Sequence, residues 1–101
     1  MYYTYIIECE DGSLYTGVAK DIDKRLAVHS KKIKQSAKYT RSHTLLRLRA
    51  AWESIDRSSA QKLEYRIKQL TRLQKLSLIE DDSLFPSLIK ILDPSQYKRH
   101  I

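Results

Sequence analysis

Five residues stand out in this sequence once the apolar core positions are set aside, because their side chains can bind an anion, hold a metal ion or transfer a proton. They are Tyr5, Tyr15, Arg25, His29 and Glu64. Glu64 is the hardest to explain by structure alone, since it falls between Leu63 and Ile67 in an apolar stripe. A carboxylate there is costly unless it is paired or binds a metal. The structural alternative places Glu64 at the edge of the stripe, paired with Lys68 or Arg25.

Each of the other four residues also has an ordinary structural interpretation. The two tyrosines could pack across a sheet as strand aromatics do, which is how we interpret Tyr2 and Tyr3. Arg25 and His29, four residues apart, could form the basic face of a helix. The five residues therefore form a site only if the fold brings them together.

The two tyrosines lie on a predicted β-hairpin, and its loop decides whether they share a face of the sheet. The stretches "YYTYIIEC" and "SLYTGV" are rich in β-branched and aromatic residues and flank the turn. A two-residue turn at Asp11 and Gly12 would place Tyr5 and Tyr15 on opposite faces. A three-residue loop, "EDG" with its glycine in the left-handed bulge position, would pair Tyr5 with Gly17 and place both tyrosines on one face. Gly17 would then leave space opposite Tyr5 for a phosphate or a water, and Asp-Gly suits either turn.

The remaining elements are a third strand and several helices. Asp21 is a good N-cap for a first helix, Asp56 for a second, and Thr71 for a short helix after the second. The alternation of apolar and basic residues in "TLLRLRAAWES" predicts a half-buried third strand. Its predicted core side consists of Leu46, Leu48, Ala50 and Trp52. A last amphipathic helix is predicted from Ser83 to Leu92.

This order predicts an α+β fold, a small antiparallel three-stranded β-sheet flanked by helices, in the order β-β-α-β-α-α plus a C-terminal helix. We expect residues 1–82 to form the domain, and residues 83–101 to form a C-terminal helix and basic tail packed on it or appended to it. No apolar run approaches the roughly 18 to 20 residues of a membrane span, which predicts a cytoplasmic protein without membrane contact. Cys9 is the single cysteine, which excludes an intramolecular disulfide and a cysteine-based zinc site.

The charge of the chain indicates an anionic partner. The formal net charge is +7, and no acidic residue occurs between Asp23 and Glu53. The cations of this basic segment are Lys24, Arg25, Lys31, Lys32, Lys34, Lys38, Arg41, Arg47 and Arg49. Such a segment is a candidate nucleic-acid face, and a solvated basic surface is the ordinary alternative.

Taken together, these stretches resemble the GIY-YIG nuclease family in its small stand-alone bacterial branch. Tyr5, in "TYI", stands where the first signature has its tyrosine, and "YTG", which begins at Tyr15, is a close form of the second. The spacing to "DIDKRLAVH" fits the family's arginine and histidine, and "LEYRIKQLTR" is similar to the helix that carries its metal-binding glutamate. The stretch "AKYTR" is a further resemblance to the stand-alone branch. The resemblance covers roughly residues 2–80.

The resemblance implies hydrolysis of a phosphodiester bond at a single divalent metal ion, Mg²⁺ or Mn²⁺. Glu64 would hold the ion through one carboxylate, with water and phosphate as the other ligands, as Mg²⁺ prefers. Arg25 would pair with phosphate oxygens, which suit its planar fork. Tyr15 would position or deprotonate the attacking water, and Tyr5 would hydrogen-bond the water or the phosphate. His29 is the alternative base or relay, because it titrates near neutrality.

The implied function is that of an endonuclease, structure-specific and acting on DNA in preference to RNA, in repair or recombination. The residues expected to bind nucleic acid are Lys24, Lys31, Lys32, Lys34, Lys38, Tyr39, Thr40 and Arg41. The alternative is a nucleic-acid-binding module of the same fold with little or no nuclease activity. It arises because the family commonly supplies a late asparagine near its active site, whereas this sequence contains no asparagine. A protein partner could in addition meet the apolar C-terminal helix.

Overall fold

A computed structural model describes residues 1–24 and 45–101 of the chain. Its strands are β1 (Tyr2–Cys9), β2 (Leu14–Ala19), β3 (Leu45–Ser54) and β4 (Lys98–Arg99). The helices described over their full length are α1 (Arg57–Lys68), α2 (Arg72–Glu80) and α3 (Phe85–Leu88), with 3-10 turns at Asp82–Leu84 and Pro94–Gln96. Within the described ranges the strands form one antiparallel sheet in the order β2-β1-β3-β4. The predicted α+β class is confirmed.

No helix in the described parts of the chain has the length and apolar character needed to cross a membrane.

The hairpin of β1 and β2 has the three-residue loop. Cys9 closes it with both backbone groups: its N–H donates to the Ser13 carbonyl at 2.9 Å, and its carbonyl accepts from the Gly12 N–H at 2.9 Å. Gly12 has a φ of 84°, the left-handed conformation that a bulge glycine adopts. Tyr5 therefore lies opposite Gly17, and the two site tyrosines share a face, as the longer of the two predicted loops requires.

The alternation predicted for β3 is wrong at its centre, because the strand contains a bulge. Ile6 pairs with Ala50 and Ile7 pairs with Leu48, which leaves Arg49 as an extra residue between them. Leu48 therefore packs on the opposite face from Ala50. The prediction assumed an unbroken period of two, which one extra residue reverses.

Each face of the sheet carries an apolar cluster in the described residues. The tyrosine face, as we call it, holds Tyr5, Ile7, Ala19 and Ala51, packed with Ile22. The opposite face, the helix face, holds Ile6, Ala50 and Trp52, packed with Leu63 and Ile67 of α1 and with Leu78, Phe85 and Ile89. The Thr4 hydroxyl on the helix face donates to the Ala60 carbonyl of α1 at 2.8 Å, which fixes α1 on the sheet.

The predicted helix starts are confirmed where the structure describes them. Asp21 accepts from the Lys24 N–H at 3.0 Å, and residues 22–24 are helical. Asp56 accepts from the Ser59 N–H at 2.8 Å, and Thr71 forms a capping box that begins α2. Such local contacts satisfy the unpaired N–H groups of a helix N-terminus, so short-range sequence patterns predict them well.

The predicted helix from Ser83 to Leu92 is wrong, since only the short α3 forms within it. The Asp81 carboxylate accepts from the Ser83 N–H and caps the 3-10 turn Asp82–Leu84, and the Asp93 carboxylate accepts from the Ser95 N–H and caps the 3-10 turn Pro94–Gln96. Ile89 ends α3 in a non-helical conformation and is 2% exposed, so its burial takes precedence over helix continuation.

The predicted three-stranded sheet is also wrong, because the described chain adds β4 beside β3. Lys98 pairs with Glu53 and Arg99 with Trp52. The Arg99 guanidinium lies 5.0 Å from the centre of the Trp52 ring and donates to the Ile79 carbonyl at 2.9 Å, near the C-terminal end of α2. These contacts hold the C-terminal tail against β3 and α2, and a two-residue strand has no periodicity from which to predict it.

Acid should weaken the fold partly through Glu8, which accepts hydrogen bonds from Arg49 at 2.8 Å and Arg47 at 3.1 Å. Those bonds, first from Arg49 and then from Arg47, lower the pKa of Glu8 below its ordinary value of 4.5. Stability from a lowered pKa is present above the unfolded value and is lost as pH falls through the folded one. We expect Glu8→Gln to lower Tm at neutral pH, and the gap to wild type to close as pH falls below about 4.5.

Thermal melts of both proteins from neutral pH to pH 3 measure this gap, and Glu10→Gln is the control for loss of one negative charge. A gap that stays constant down to pH 3 would show that Glu8 contributes nothing through its ionisation.

Candidate active site

The hairpin brings Tyr5 and Tyr15 together on the tyrosine face. Their ring centres are 6.5 Å apart, with an angle of 43° between the ring planes. Their environments differ sharply, because Tyr5 is 1% exposed and Tyr15 is 48% exposed. Tyr5 therefore occupies a packed position, whereas Tyr15 is half exposed to solvent on this face.

Gly17 lies beneath the Tyr5 ring and leaves no free space there. A Cβ at position 17 would be 2.5 Å from the Tyr5 Oη and 2.6 Å from its Cζ, well inside van der Waals contact. The expectation that Gly17 leaves room for a phosphate or a water is thus wrong, because the Tyr5 ring itself fills that room. The glycine instead lets the Tyr5 ring cross β2 at close range, which fixes the direction of the hydroxyl.

Glu64 lies at the edge of the buried stripe of α1, which consists of Ala60, Leu63 and Ile67. Its Oε2 is 3.5 Å from the Lys68 Nζ, and its side chain is 26% exposed. The structural alternative expected from the sequence, an edge position with an ion pair to Lys68, is therefore observed. A carboxylate that is partly open and pairs with one half-exposed ammonium group remains accessible to a cation.

Two contacts show how α1 runs along the hairpin. At one end, Ala60 accepts from Thr4, and beyond the other end the Arg72 guanidinium donates to the Gly12 carbonyl in the loop. Four helical residues advance about 6 Å, close to the about 6.7 Å of two strand residues. Glu64 is therefore expected level with the pair Ile6 and Thr16.

Glu64 nevertheless belongs to a helix on one face of the sheet, whereas Tyr5 and Tyr15 lie on the other face. The α1 helix packs on the helix face against β1 and β2, whereas Tyr5 and Tyr15 point to the tyrosine face. Among the described strands β2 lies at an edge of the sheet, and Tyr15 belongs to β2. A shared site of Glu64 and Tyr15 would therefore have to lie around the β2 edge.

Thr16 is a polar residue of this region that the sequence interpretation did not select. It is 3% exposed, and its hydroxyl is the one buried side-chain polar atom that lacks a hydrogen-bond partner within the described parts of the chain. A buried hydroxyl without a partner costs about 1–3 kcal/mol, so such groups usually bind a water. A threonine at a strand centre that faces a helix, where an aliphatic residue would pack, is the signal that could have indicated it.

The other predicted site residues lie at or beyond the limit of the description. Lys24 is exposed and is the last residue described before the gap. The predicted catalytic residues Arg25 and His29 lie outside the described residues, as do the predicted nucleic-acid contacts Lys31, Lys32, Lys34, Lys38, Tyr39, Thr40 and Arg41.

The described residues fit a metal ion that needs few protein ligands. They contain no group of three or more His, Cys, Asp or Glu side chains arranged to hold a metal. Glu64 would contribute one carboxylate at a partly open position, and Mg²⁺ commonly uses one or two carboxylates together with water and phosphate. Cys9 is unsuited as a ligand or nucleophile, because burial raises the pKa of its thiol.

Comparison with known proteins gives one family and a consistent set of relatives. The family described as the GIY-YIG catalytic domain matches residues 1–77. The chain is similar to the UPF0213 protein YsiG of Lactococcus lactis, with 38% identity over 98 residues that cover 96% of this chain and 92% of the relative. It is also similar to a UPF0213 protein of Halobacterium salinarum, with 45% identity over 78 residues that cover 77% of this chain and 99% of the relative.

A solved structure also matches the fold. It is the solution NMR structure of the UPF0213 protein BH0048 from Bacillus halodurans, with 41% identity and a TM-score of 0.50 over 79% of this chain and 84% of that chain. The names of these relatives state a family and no activity.

Proposed function

Because the chain belongs to the GIY-YIG family, we propose that it is a metal-dependent endonuclease that hydrolyses phosphodiester bonds in nucleic acid, with DNA preferred to RNA. The family is one of nucleases, and GIY-YIG nucleases generally depend on a divalent metal ion. The observation that carries the proposal for this chain is the register of the hairpin, which pairs Tyr5 with Gly17 and places Tyr15 on the same face.

In this proposal Glu64 holds one divalent ion, Mg²⁺ or Mn²⁺, at the β2 edge. Such an ion would neutralise charge on the phosphate and on the leaving oxygen. The exposed Tyr15 positions the attacking water or removes its proton, and the buried Tyr5 directs a hydroxyl from the floor of the site. Arg25 binds the phosphate oxygens, and His29 serves as the alternative base.

The basic segment supplies the binding energy in the same proposal. Its cations contact phosphates without reading the sequence of bases, so recognition would depend on the structure of the nucleic acid. This mode of binding suits a role in repair or recombination, where branched or interrupted DNA is the substrate.

A binding module with little nuclease activity is the second candidate, and one observation favours it. Glu64 is paired with Lys68 at 3.5 Å, so part of its charge is already neutralised within α1. The missing asparagine points in the same direction. A protein partner at the C-terminal segment stays a prediction, and two apolar residues of that segment, Phe85 and Ile89, are buried in the core.

Cleavage assays on single-stranded, duplex, flap and branched DNA and on RNA, with Mg²⁺ or with EDTA, test the proposal. We expect cleavage of at least one DNA substrate with Mg²⁺ and none with EDTA. Salt-sensitive binding without cleavage of any substrate would favour the binding module instead.

Tyr15→Phe tests the role of the exposed hydroxyl. We expect cleavage to fall at least about tenfold, because positioned proton transfer contributes about 10²–10⁴-fold in enzymes and His29 could compensate in part. Tm should change little, since Tyr15 is half exposed. Tyr3 of β1 lies on the same face of the sheet as Tyr15, so Tyr3→Phe is the matched control. Equal cleavage by both variants would remove Tyr15 from the mechanism.

A further inference from the structure

A groove on the outer side of α1 lies away from Tyr5 and Tyr15 and from the buried stripe of the helix. It has a volume of about 540 Å³ and is lined by Ser58, Gln61, Lys62, Tyr65, Arg66, Ile91 and Leu92. The lining contains two cations and no carboxylate. We call it the α1 groove.

The lining of the α1 groove includes an exposed aromatic ring. Tyr65 is 58% exposed, and the guanidinium of Arg66 lies 5.5 Å from the centre of its ring. Ile91 is 67% exposed on the other wall. Large exposed apolar and aromatic side chains that lie together beside cations are typical of a binding surface.

Glu64 lies between the buried stripe and the α1 groove around the circumference of the helix. Successive helical residues are rotated by about 100°, which directs Tyr65 about 100° away from Glu64 and about 160° away from Ile67. A chain bound at Glu64 could therefore continue over the outer surface of α1 into the groove without crossing the protein.

We propose that the α1 groove binds a single-stranded segment of the nucleic acid substrate. An unpaired base stacks on the Tyr65 ring, and Lys62 and Arg66 bind the phosphates on either side of it. This inference rests on the proposed function for its substrate class, and it assigns to the C-terminal segment, through Ile91, a role in substrate binding.

The chemistry of the groove favours a single strand over the other anionic partners. A duplex hides the faces of its bases, so it could use Lys62 and Arg66 but not the exposed ring of Tyr65. Base-on-aromatic stacking with cations along the backbone is how single strands are bound without regard to sequence. An acidic peptide would satisfy the cations, but its acidic side chains offer no flat apolar surface the size of a base to cover the ring.

The test compares binding of a blunt DNA duplex with binding of the same duplex carrying a short thymidine extension. Both are fluorescently labelled and titrated in EDTA, so that binding is measured without cleavage. We expect the wild type to bind the extended duplex more tightly. Tyr65→Ala should weaken binding of the extended duplex about 5- to 150-fold, the range for one stacked base, and leave the blunt duplex unchanged.

Matched controls distinguish the loss of this site from a general loss of positive charge or of exposed apolar surface. Leu73→Ala removes a side chain that is 76% exposed on α2, and Lys98→Gln removes an exposed cation on β4. Both should keep the preference for the extension, whereas the double variant Lys62→Gln/Arg66→Gln should lose it. Circular dichroism and Tm verify that each variant is folded.

Several results would overturn the inference while leaving the proposed nuclease intact. They are a wild type that binds both duplexes equally, a Tyr65→Ala variant that keeps the preference, and an equal loss on both duplexes. Competition by an acidic peptide as effective as that by oligothymidylate would overturn it in favour of a protein ligand. Failure of the wild type to bind any nucleic acid would overturn the inference and the proposed function together.

Discussion

Replacement of Glu64 by glutamine should reduce Mg²⁺-dependent cleavage at least about 1000-fold, because a bound metal contributes several kcal/mol to the transition state and each 1.36 kcal/mol is a factor of ten. Glutamine keeps the size of the side chain and removes its charge. The fold should be preserved, since the Glu64–Lys68 pair is partly exposed and such pairs contribute at most about 1 kcal/mol.

Lys68→Gln is the matched control for this prediction, because it breaks the same ion pair and keeps the carboxylate. We expect cleavage within about threefold of wild type, and a lower Mg²⁺ requirement since no ammonium group competes for Glu64. Cleavage that survives in Glu64→Gln would indicate a contaminating nuclease or a different metal ligand. Equal loss in both variants would indicate that the ion pair itself, and not a metal, matters.

Of the effects on stability predicted for this protein, that of Gly17→Ala should be the largest. The free energy of unfolding should fall by about 1–3 kcal/mol, as is typical of overpacked sites. The added Cβ would lie 2.5 Å from the Tyr5 Oη and 2.6 Å from its Cζ, and Tyr5 is 1% exposed, so the ring has nowhere to move. Because the collision also displaces the Tyr5 hydroxyl, cleavage should fall even at temperatures where the variant is folded. Urea titration measures the stability, and cleavage assays below the melting range measure the second effect.

A double-mutant cycle with Tyr5→Ala separates this collision from a backbone effect of the new side chain. Removal of the ring should make the alanine at position 17 nearly neutral, with a coupling energy of about 1 kcal/mol or more between the two sites. If the alanine costs the same with and without the ring, the glycine serves the backbone and not the Tyr5 ring.

Short-range sequence patterns predicted where the helices of this chain begin. Tertiary contacts decided the features for which those patterns allowed more than one structure. The caps at Asp56 and Thr71 depend on residues within one helical turn, so the sequence contains all that they need. The hairpin loop depends on a choice between two turns that both accept Asp-Gly. Its three-residue form is accompanied by bonds from the Ser13 N–H and hydroxyl to the Asp11 carboxylate, at 3.0 and 2.6 Å.

The larger errors arose where one residue interacts with several elements. Arg49 interrupts the alternation of β3, and its guanidinium bonds to Glu8 at 2.8 Å on β1 and to Glu80 at 3.2 Å on α2. Arg99 similarly bonds to α2 while its backbone pairs with β3. The hydrogen bonds from Arg49 to Glu8 and from Arg99 to Ile79 join residues 41 and 20 positions apart, beyond any periodic pattern.

For the candidate site, the sequence proposed a set of side chains and left their arrangement open. The shared face of Tyr5 and Tyr15 followed once the loop was known, and the Glu64–Lys68 pair was one of the expected alternatives. The packing of Tyr5 over Gly17 was not predictable, because the direction in which a strand tyrosine leans depends on its neighbours in space. Thr16 was overlooked because its burial depends on α1, far along the chain.

The three-residue hairpin loop has a consequence for which length changes natural variation can tolerate. A slip of β2 by one residue along β1 would turn every side chain of β2 to the other face and separate Tyr15 from Tyr5. The loop can change in length without such a slip, because loops of two to five residues all close hairpins. Natural variants should therefore keep Tyr5 opposite Gly17, while the loop between Cys9 and Ser13 is free to vary in length.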